Sequence, residues 1–147
     1  MGALSDALND PNKRKAIVDD GVKVIEEEVR SKSGFRGMAI KAGFKTVKAI
    51  RPGIIGMALD HLMPEFATQI DPFYDEWKAS GSGTLRDYFT RRDADIANAL
   101  LSITDQRSRG AQNRTMKKAY DKLRPQGLEH TKAAIPRLAG LVERHVA

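Results

Sequence analysis

The residue types that most often perform chemistry in proteins are few in this chain and stand in no recognised catalytic spacing. There is no cysteine, which removes thiolate nucleophiles, disulfides and zinc–thiolate sites. None of the three histidines, His61, His130 and His145, belongs to an HExxH or Glu-x-x-His pattern. No GxSxG occurs, and the stretch GFRGMAIKAGFK lacks the GK[ST] ending of a phosphate loop. The sequence therefore predicts a non-enzymatic protein with no metal and no cofactor.

One group of carboxylates is dense enough to consider as a cation site. Asp71, Asp75 and Glu76 stand close together around Pro72. Acidic residues also favour the first turn of a helix, where they interact with the helix dipole. A helix that begins at Pro72 explains this group more simply than a bound cation does.

The charges of the chain reverse sign abruptly at residue 52. Residues 30–51 hold seven Lys or Arg and no acid, whereas residues 52–77 hold five acids and no Lys or Arg. Residues 107–124 form a second basic cluster, with seven Lys or Arg and the single acid Asp121. Such segregation of charge predicts a polarised surface that orients a binding partner.

A helical projection of residues 34–51 places the basic residues together at 100° per residue. Phe35, Met38, Ala42 and Gly43 gather on the other side, and Gly43 predicts a close approach by a second helix. The candidate binding residues are the basic residues of this helix and of the second cluster: Arg36, Lys41, Lys45, Lys48, Arg51, Arg114, Lys117, Lys118 and Lys122.

The basic helix 34–51 allows three interpretations. It can lie on an anionic membrane surface, or bind the phosphates of a nucleic acid. It can also dock on an acidic protein surface: segment 52–77 of the same chain, the same segment in a homo-oligomer, or another acidic protein. Residues 93–124 approach a helix-turn-helix, but a predicted loop of about eight residues weakens that match.

The hydrophobic spacing predicts an all-α fold, a single compact bundle of about six to eight helices whose connections are marked by prolines. Residues 1–147 form one domain, and residues 1–10 are expected to be loosely ordered. The helices at 53–63, 93–105 and 128–146 are expected to supply the core, with Leu100 buried. Helix 53–63 is expected to end before Pro64, because proline disrupts helix interiors.

An alternative function follows from helix 53–63, which is apolar on most sides. Met57, Leu59 and Met63 could border an apolar pocket, so the alternative is a bundle that binds a small molecule or a lipid.

The net charge of +6 and the absence of an apolar leader or span predict a basic, cytoplasmic protein.

Five stretches carry a resemblance to a known group of proteins: KSGFRGMAIKAGFKTVKAIRPG, LMPEFATQIDPFYDEW, IANALLSITDQRS, KKAYDKLRP and AAIPRLAGLVERHV. Together they cover most of residues 12–146, and the chain resembles a family of small, all-helical bacterial proteins of unknown function. The resemblance implies a compact, cytosolic bacterial protein and assigns no catalytic residue.

Overall fold

The computed structural model describes residues 2–146, except for the side chain of Arg36. This part of the chain is all-α, as predicted, and contains no strand. The eight α-helices and one short 3₁₀ turn are α1 (Ala3–Ala7), α2 (Pro11–Ser31), α3 (Gly34–Ile50), α4 (Ile54–Ser80), α5 (Leu85–Arg91), α6 (Asp93–Arg109), α7 (Arg114–Leu123), the turn Arg124–Gln126 and α8 (Gly127–Val146).

Local capping chemistry fixes several of these boundaries. Asp10 accepts hydrogen bonds from the backbone amides of Asn12 and Lys13, at 2.9 and 3.4 Å, and Pro11 opens α2. The side chain of Asn113 caps α7 in the same way, at 3.0 Å from the amide of Met116. Gly53, between α3 and α4, has a φ of +75°, which favours glycine.

The prediction that a helix ends before Pro64 is wrong. Helix α4 runs unbroken through Pro64 and Pro72, and α8 contains Pro136. Proline has no backbone N–H, so Pro64 leaves the carbonyl of Asp60 without its helix partner. The guanidinium Nη2 of Arg14 donates to that carbonyl at 2.8 Å. Prolines lie at the start of α2 and in two connections. The prolines inside α4 and α8 do not break those helices.

Residues 2–10 are more ordered than the sequence predicted. They include α1, whose Leu4 is 1% exposed within the core, and Leu8 is buried as well. The buried carboxylate of Asp71 on α4 holds the helix start, because its oxygens lie 2.8 Å from the amide of Leu4 and 2.6 Å from the hydroxyl of Ser5. Asp71 therefore binds the start of α1 rather than a cation.

The core lies where α1, α2, α4, α5, α6 and α8 meet. The three expected helices contribute Met63, Ile96 and Ile135, while Ile17 of α2 and Phe89 of α5 are also fully enclosed. Leu100 is only half-buried at the edge of this core, whereas the adjacent Leu101 is buried. Helix α6 packs on several neighbours and therefore buries residues on more than one side. Its hydrophobic spacing alone did not show that Leu101 is the more buried of the two leucines.

Candidate anion-binding face of α3 and α7

Helices α3 and α7 pack side by side, which brings the two basic clusters together. Gly43 permits the close approach that the sequence predicted, since a Cβ added there would lie 2.8 Å from Cδ1 of Leu123. A groove of about 430 Å³ runs along this contact. Small residues of α3 and five residues of α7 form its walls: Ala39, Ala42, Gly43, Thr46, Thr115, Lys118, Ala119, Lys122 and Leu123.

The outward side of α3 differs from the sequence-based projection. Phe35 is 91% exposed and Met38 is 68% exposed, although both were expected on the packed side. The helix instead turns Ile40, Phe44 and Val47 inward, where they are half-buried. These larger aliphatic and aromatic side chains bury more apolar surface than Ala42 or Gly43 could, which explains the orientation.

Lys41 and Lys45 are exposed on α3, and neither forms an ion pair with any described residue. At 100° per residue they project within roughly 60° of Met38. Lys118 and Lys122 of α7 line the groove, and they too are unpaired among the described residues. The term α3–α7 face refers below to these lysines with the two exposed apolar residues: Phe35, Met38, Lys41, Lys45, Lys118 and Lys122.

The remaining candidate residues are not all part of this face. The Nζ of Lys48 lies 3.7 Å from Oε2 of Glu26 and 5.2 Å from the centre of the Phe44 ring, so Lys48 turns towards α2. Arg51 borders a separate hollow beside Pro52. Lys117 lies on another side of α7, next to His61. Arg114 is exposed at the start of α7, and the side chain of Arg36 lies outside the described part of the chain.

The acidic segment 52–77 does not dock on the lysines of α3 within the described chain. Its carboxylates bind arginines of other helices instead, with contacts of 2.7–2.8 Å: Asp60 with Arg14, Glu65 with Arg107 and Glu76 with Arg92. The intramolecular form of the docking hypothesis is therefore wrong, and the reason is that arginine forms these pairs more readily through its planar, multidentate guanidinium.

Glu76 of this acidic segment is bound by two side chains. Its Oε2 accepts from the hydroxyl of Tyr88 and from Nη1 of Arg92, each at 2.7 Å. The hydrogen bond from Tyr88, followed by that from Arg92, lowers the pKa of Glu76. Among residues 2–146, no group of three His, Cys, Asp or Glu side chains is placed to hold a metal ion.

An apolar crevice of about 150 Å³ enters the core between α2, α4, α6 and α8. Leu59 and Met63 border it, as the alternative function required, but Met57 is 42% exposed elsewhere. A dry cavity of similar size in another protein holds benzene or xenon. The crevice therefore has room for only a small apolar group.

A model for a family of unknown function, DUF6918, matches residues 4–146. The chain belongs to this family. The resemblance to a family of unknown function is thus confirmed, and DUF6918 comes with no described activity. No curated protein and no solved structure matches the chain. In the described part of this DUF6918 chain, every helix is too short or too polar to cross a membrane.

Proposed function

We propose that this protein is a non-enzymatic binding protein that attaches to an anionic membrane surface through the α3–α7 face. The observation that carries the proposal is the exposure of Phe35 and Met38 on the helix that holds Lys41 and Lys45, which are unpaired among the described residues, and that shares a groove with Lys118 and Lys122 of α7. Interfacial helices commonly combine an aromatic or aliphatic strip with flanking lysines in this way.

The apolar residues supply the first contribution to binding. Phe35 and Met38 project from the start of α3 with most of their surface in water. Moving such side chains into the boundary between headgroups and acyl chains recovers part of the roughly 1.5–3 kcal/mol that full burial of each would provide. Both residues lie on the same side of one helix, so they can enter the boundary together.

The lysines supply the second contribution. A Lys near an anionic lipid surface gains about 1 kcal/mol, and the effect fades within a Debye length. The four lysines of the α3–α7 face form no ion pair with an acid of residues 2–146, and α3 itself contains no Asp or Glu. Cytoplasmic leaflets carry anionic lipids, so the proposal includes a cytoplasmic location.

Nucleic acid is the other polyanion that these charges suit. The connection between α6 and α7 spans only residues 110–113, shorter than the eight-residue loop that the sequence predicted and short enough for a helix-turn-helix. Phosphate binding would explain the lysines, but it gives no role to Met38. The exposed apolar pair therefore favours a lipid surface.

A vesicle flotation assay tests the proposal with two pairs of variants. We expect binding to phosphatidylcholine vesicles that contain phosphatidylglycerol, and little binding without that anionic lipid. The double change Phe35→Ser and Met38→Ser should reduce partitioning by about tenfold or more. Lys41→Glu with Lys45→Glu should do the same and should remove most of the salt dependence.

Two matched controls distinguish an effect of the α3–α7 face from an effect of net charge or of exposed apolar surface elsewhere. Lys13→Glu with Lys23→Glu makes the same change in net charge at exposed positions of α2. Met57→Ser removes a different exposed apolar side chain. Equal losses in controls and test variants would contradict the proposal, as would tight binding to DNA or RNA by a protein that ignores anionic vesicles.

A further inference from the structure

A second hollow, of about 250 Å³, lies between α4, α6 and α7, away from the groove that α7 forms with α3. Its walls are mainly apolar and include Ala58, Leu62, Ala111 and Met116. Tyr120 completes the lining with its aromatic ring. Hydrophobic walls with a few polar groups are the usual form of a small-molecule site.

The polar end of Tyr120 is already satisfied within the protein. Its hydroxyl donates a short hydrogen bond to the carboxylate of Asp105 and lies 2.7 Å from Oγ1 of Thr104. Burial, followed by the bond to Asp105, raises the pKa of Tyr120, so the phenol stays neutral. The Nε of Arg124 donates to the same carboxylate oxygen, Oδ1 of Asp105, at 2.8 Å. This network fixes the ring as a wall of the hollow and leaves its hydroxyl occupied.

Two charged residues, Arg107 and Lys117, line the hollow in the described part of the chain, and both are basic. Arg107 is bound to Glu65 through two contacts of 3.3 and 2.8 Å, so its charge is partly compensated. Lys117 is exposed and forms no ion pair with a described residue, and exposed His61 lines the same hollow. Among the described residues, no carboxylate lines the hollow. An apolar hollow with an uncompensated ammonium at its edge complements an anionic head on an apolar body.

We propose that this hollow binds a small amphiphilic anion, a carboxylate that carries a short alkyl chain or one aromatic ring. The volume sets the size: it exceeds the roughly 150 Å³ that holds benzene and falls below the about 300 Å³ at which drug-sized sites begin. Lys117 pairs with the carboxylate, and the apolar walls receive the chain. This site is separate from the α3–α7 face and needs no membrane.

Octanoate below its micellar concentration is a suitable probe, titrated in the absence of lipid and followed by amide NMR shifts and calorimetry. We expect saturable binding with shifts centred on Ala58, Ala111 and Met116. Replacing Lys117→Gln should weaken binding by about fivefold, near the upper end for an exposed ion pair. Octan-1-ol, which has the same chain without the charge, should bind more weakly than octanoate.

Two further variants make the test specific. Ala111→Phe fills the hollow from the connection between α6 and α7, outside any helix, and should abolish binding. Lys122→Gln removes a lysine from the other side of the same helix and should leave octanoate affinity unchanged. If Ala111→Phe failed to fold, the comparison of Lys117→Gln with Lys122→Gln would still test the proposal. The proposal would be overturned if octanoate showed no saturable binding or if octan-1-ol bound with equal affinity. It would also be overturned if the two lysine changes had equal effects, or if folded Ala111→Phe still bound octanoate.

Discussion

At the scale of single residues, Asp71 is the only charged side chain that is buried in the described part of the chain, at 5% exposure. It accepts two backbone hydrogen bonds and one hydroxyl hydrogen bond from Leu4 and Ser5, which lie 67 and 66 positions away in sequence. Gly2 stands next to the same carboxylate, because a Cβ added there would lie 2.0 Å from Asp71 Oδ2. One carboxylate thus positions the whole of α1.

Replacing Asp71→Ala should lower the free energy of unfolding by about 2–4 kcal/mol, because it strands buried donors of α1 without an acceptor. Urea denaturation measures this loss. Asp75→Ala is the matched control, since Asp75 is exposed on the same helix and should change stability by less than about 0.5 kcal/mol. Similar losses for the two variants would show that Asp71 does not hold α1.

In the sequence, Asp71 lies close to Asp75 and Glu76, so we interpreted the three as one group of carboxylates. This interpretation missed the role of Asp71 as the hydrogen-bond acceptor for α1. Its partners on α1 come from a distant part of the chain, which no local pattern identifies. A signal was nonetheless present. Asp71 lies on the same helical side as Ala67, Ile70 and Tyr74, and an acid on an apolar side implies a buried hydrogen-bond partner.

At the scale of elements, Arg14 of α2 compensates for a proline in α4. Its Nη2 donates to the Asp60 carbonyl that Pro64 leaves free, and its Nε lies 2.7 Å from the Asp60 carboxylate. The two helices are thus joined at the position of the missing bond. No local pattern identifies this compensating donor, because it lies 46 positions before Asp60 in the chain.

A double-mutant cycle tests this compensation. Arg14→Ala should cost about 1 kcal/mol or less in the natural background, as expected of a partly exposed pair. In the Pro64→Ala background the new N–H of residue 64 serves the carbonyl, so Arg14→Ala should cost clearly less, with a coupling of about 0.5 kcal/mol. Urea midpoints give both values. The Pro72→Ala background should leave the cost of Arg14→Ala unchanged, and a coupling as large as that with Pro64 would contradict the mechanism.

The existence of most helices could be predicted from the sequence, but the orientation of α3 could not. Lys41 and Lys45 are both exposed on α3, but Lys48 turns towards α2, and the inner side of the helix was assigned to Ala42 instead of Ile40 and Val47. A helix with apolar residues on two sides does not specify which of them packs. Only the neighbours α2, α4 and α7 decide, so the exposed pair Phe35 and Met38 emerged from the structure alone.

At the scale of the whole molecule, most of the ion pairs between helices use arginine, although Lys48 pairs with Glu26 of α2. The arginines that join different helices are bound to carboxylates: Arg14, Arg92, Arg107, Arg124, Arg137 and Arg144. The lysines of the α3–α7 face remain unpaired among the described residues. Arginine suits multidentate pairs, and lysine is a compact, mobile charge. The acids after residue 52 that form ion pairs thus contact arginines of other helices and not the lysines of α3.

The link between α2 and α8 makes stability depend on pH. Arg144 donates to both oxygens of Asp20, at 2.8 and 2.9 Å, and His145 lies 2.8 Å from the same carboxylate. The hydrogen bonds from Arg144 are the main reason that the pKa of Asp20 falls below its ordinary 3.8. A lowered folded-state pKa stabilises the protein above pH 3.8, and this contribution disappears as the pH falls through the folded value.

We therefore expect the free energy of unfolding to fall between about pH 6 and about pH 3, and to fall less in Asp20→Asn than in the unmodified protein. Urea denaturation at both pH values measures the difference. Asp19→Asn is the control, because Asp19 is exposed and pairs only with Lys15 one turn away. An acid-induced loss that is the same in all three proteins would show that Asp20 does not contribute.

The pairing of α2 with α8 also constrains how the molecule is made. Asp20 meets Arg144 across 124 positions, and Glu28 meets Arg137 across 109. A ribosome releases the chain from its start, so Ile17 emerges long before Ile135 and Val142, which help to enclose the same core. During that interval the early helices carry uncovered apolar surface, and a chaperone that shields α2 would act until α8 leaves the exit tunnel.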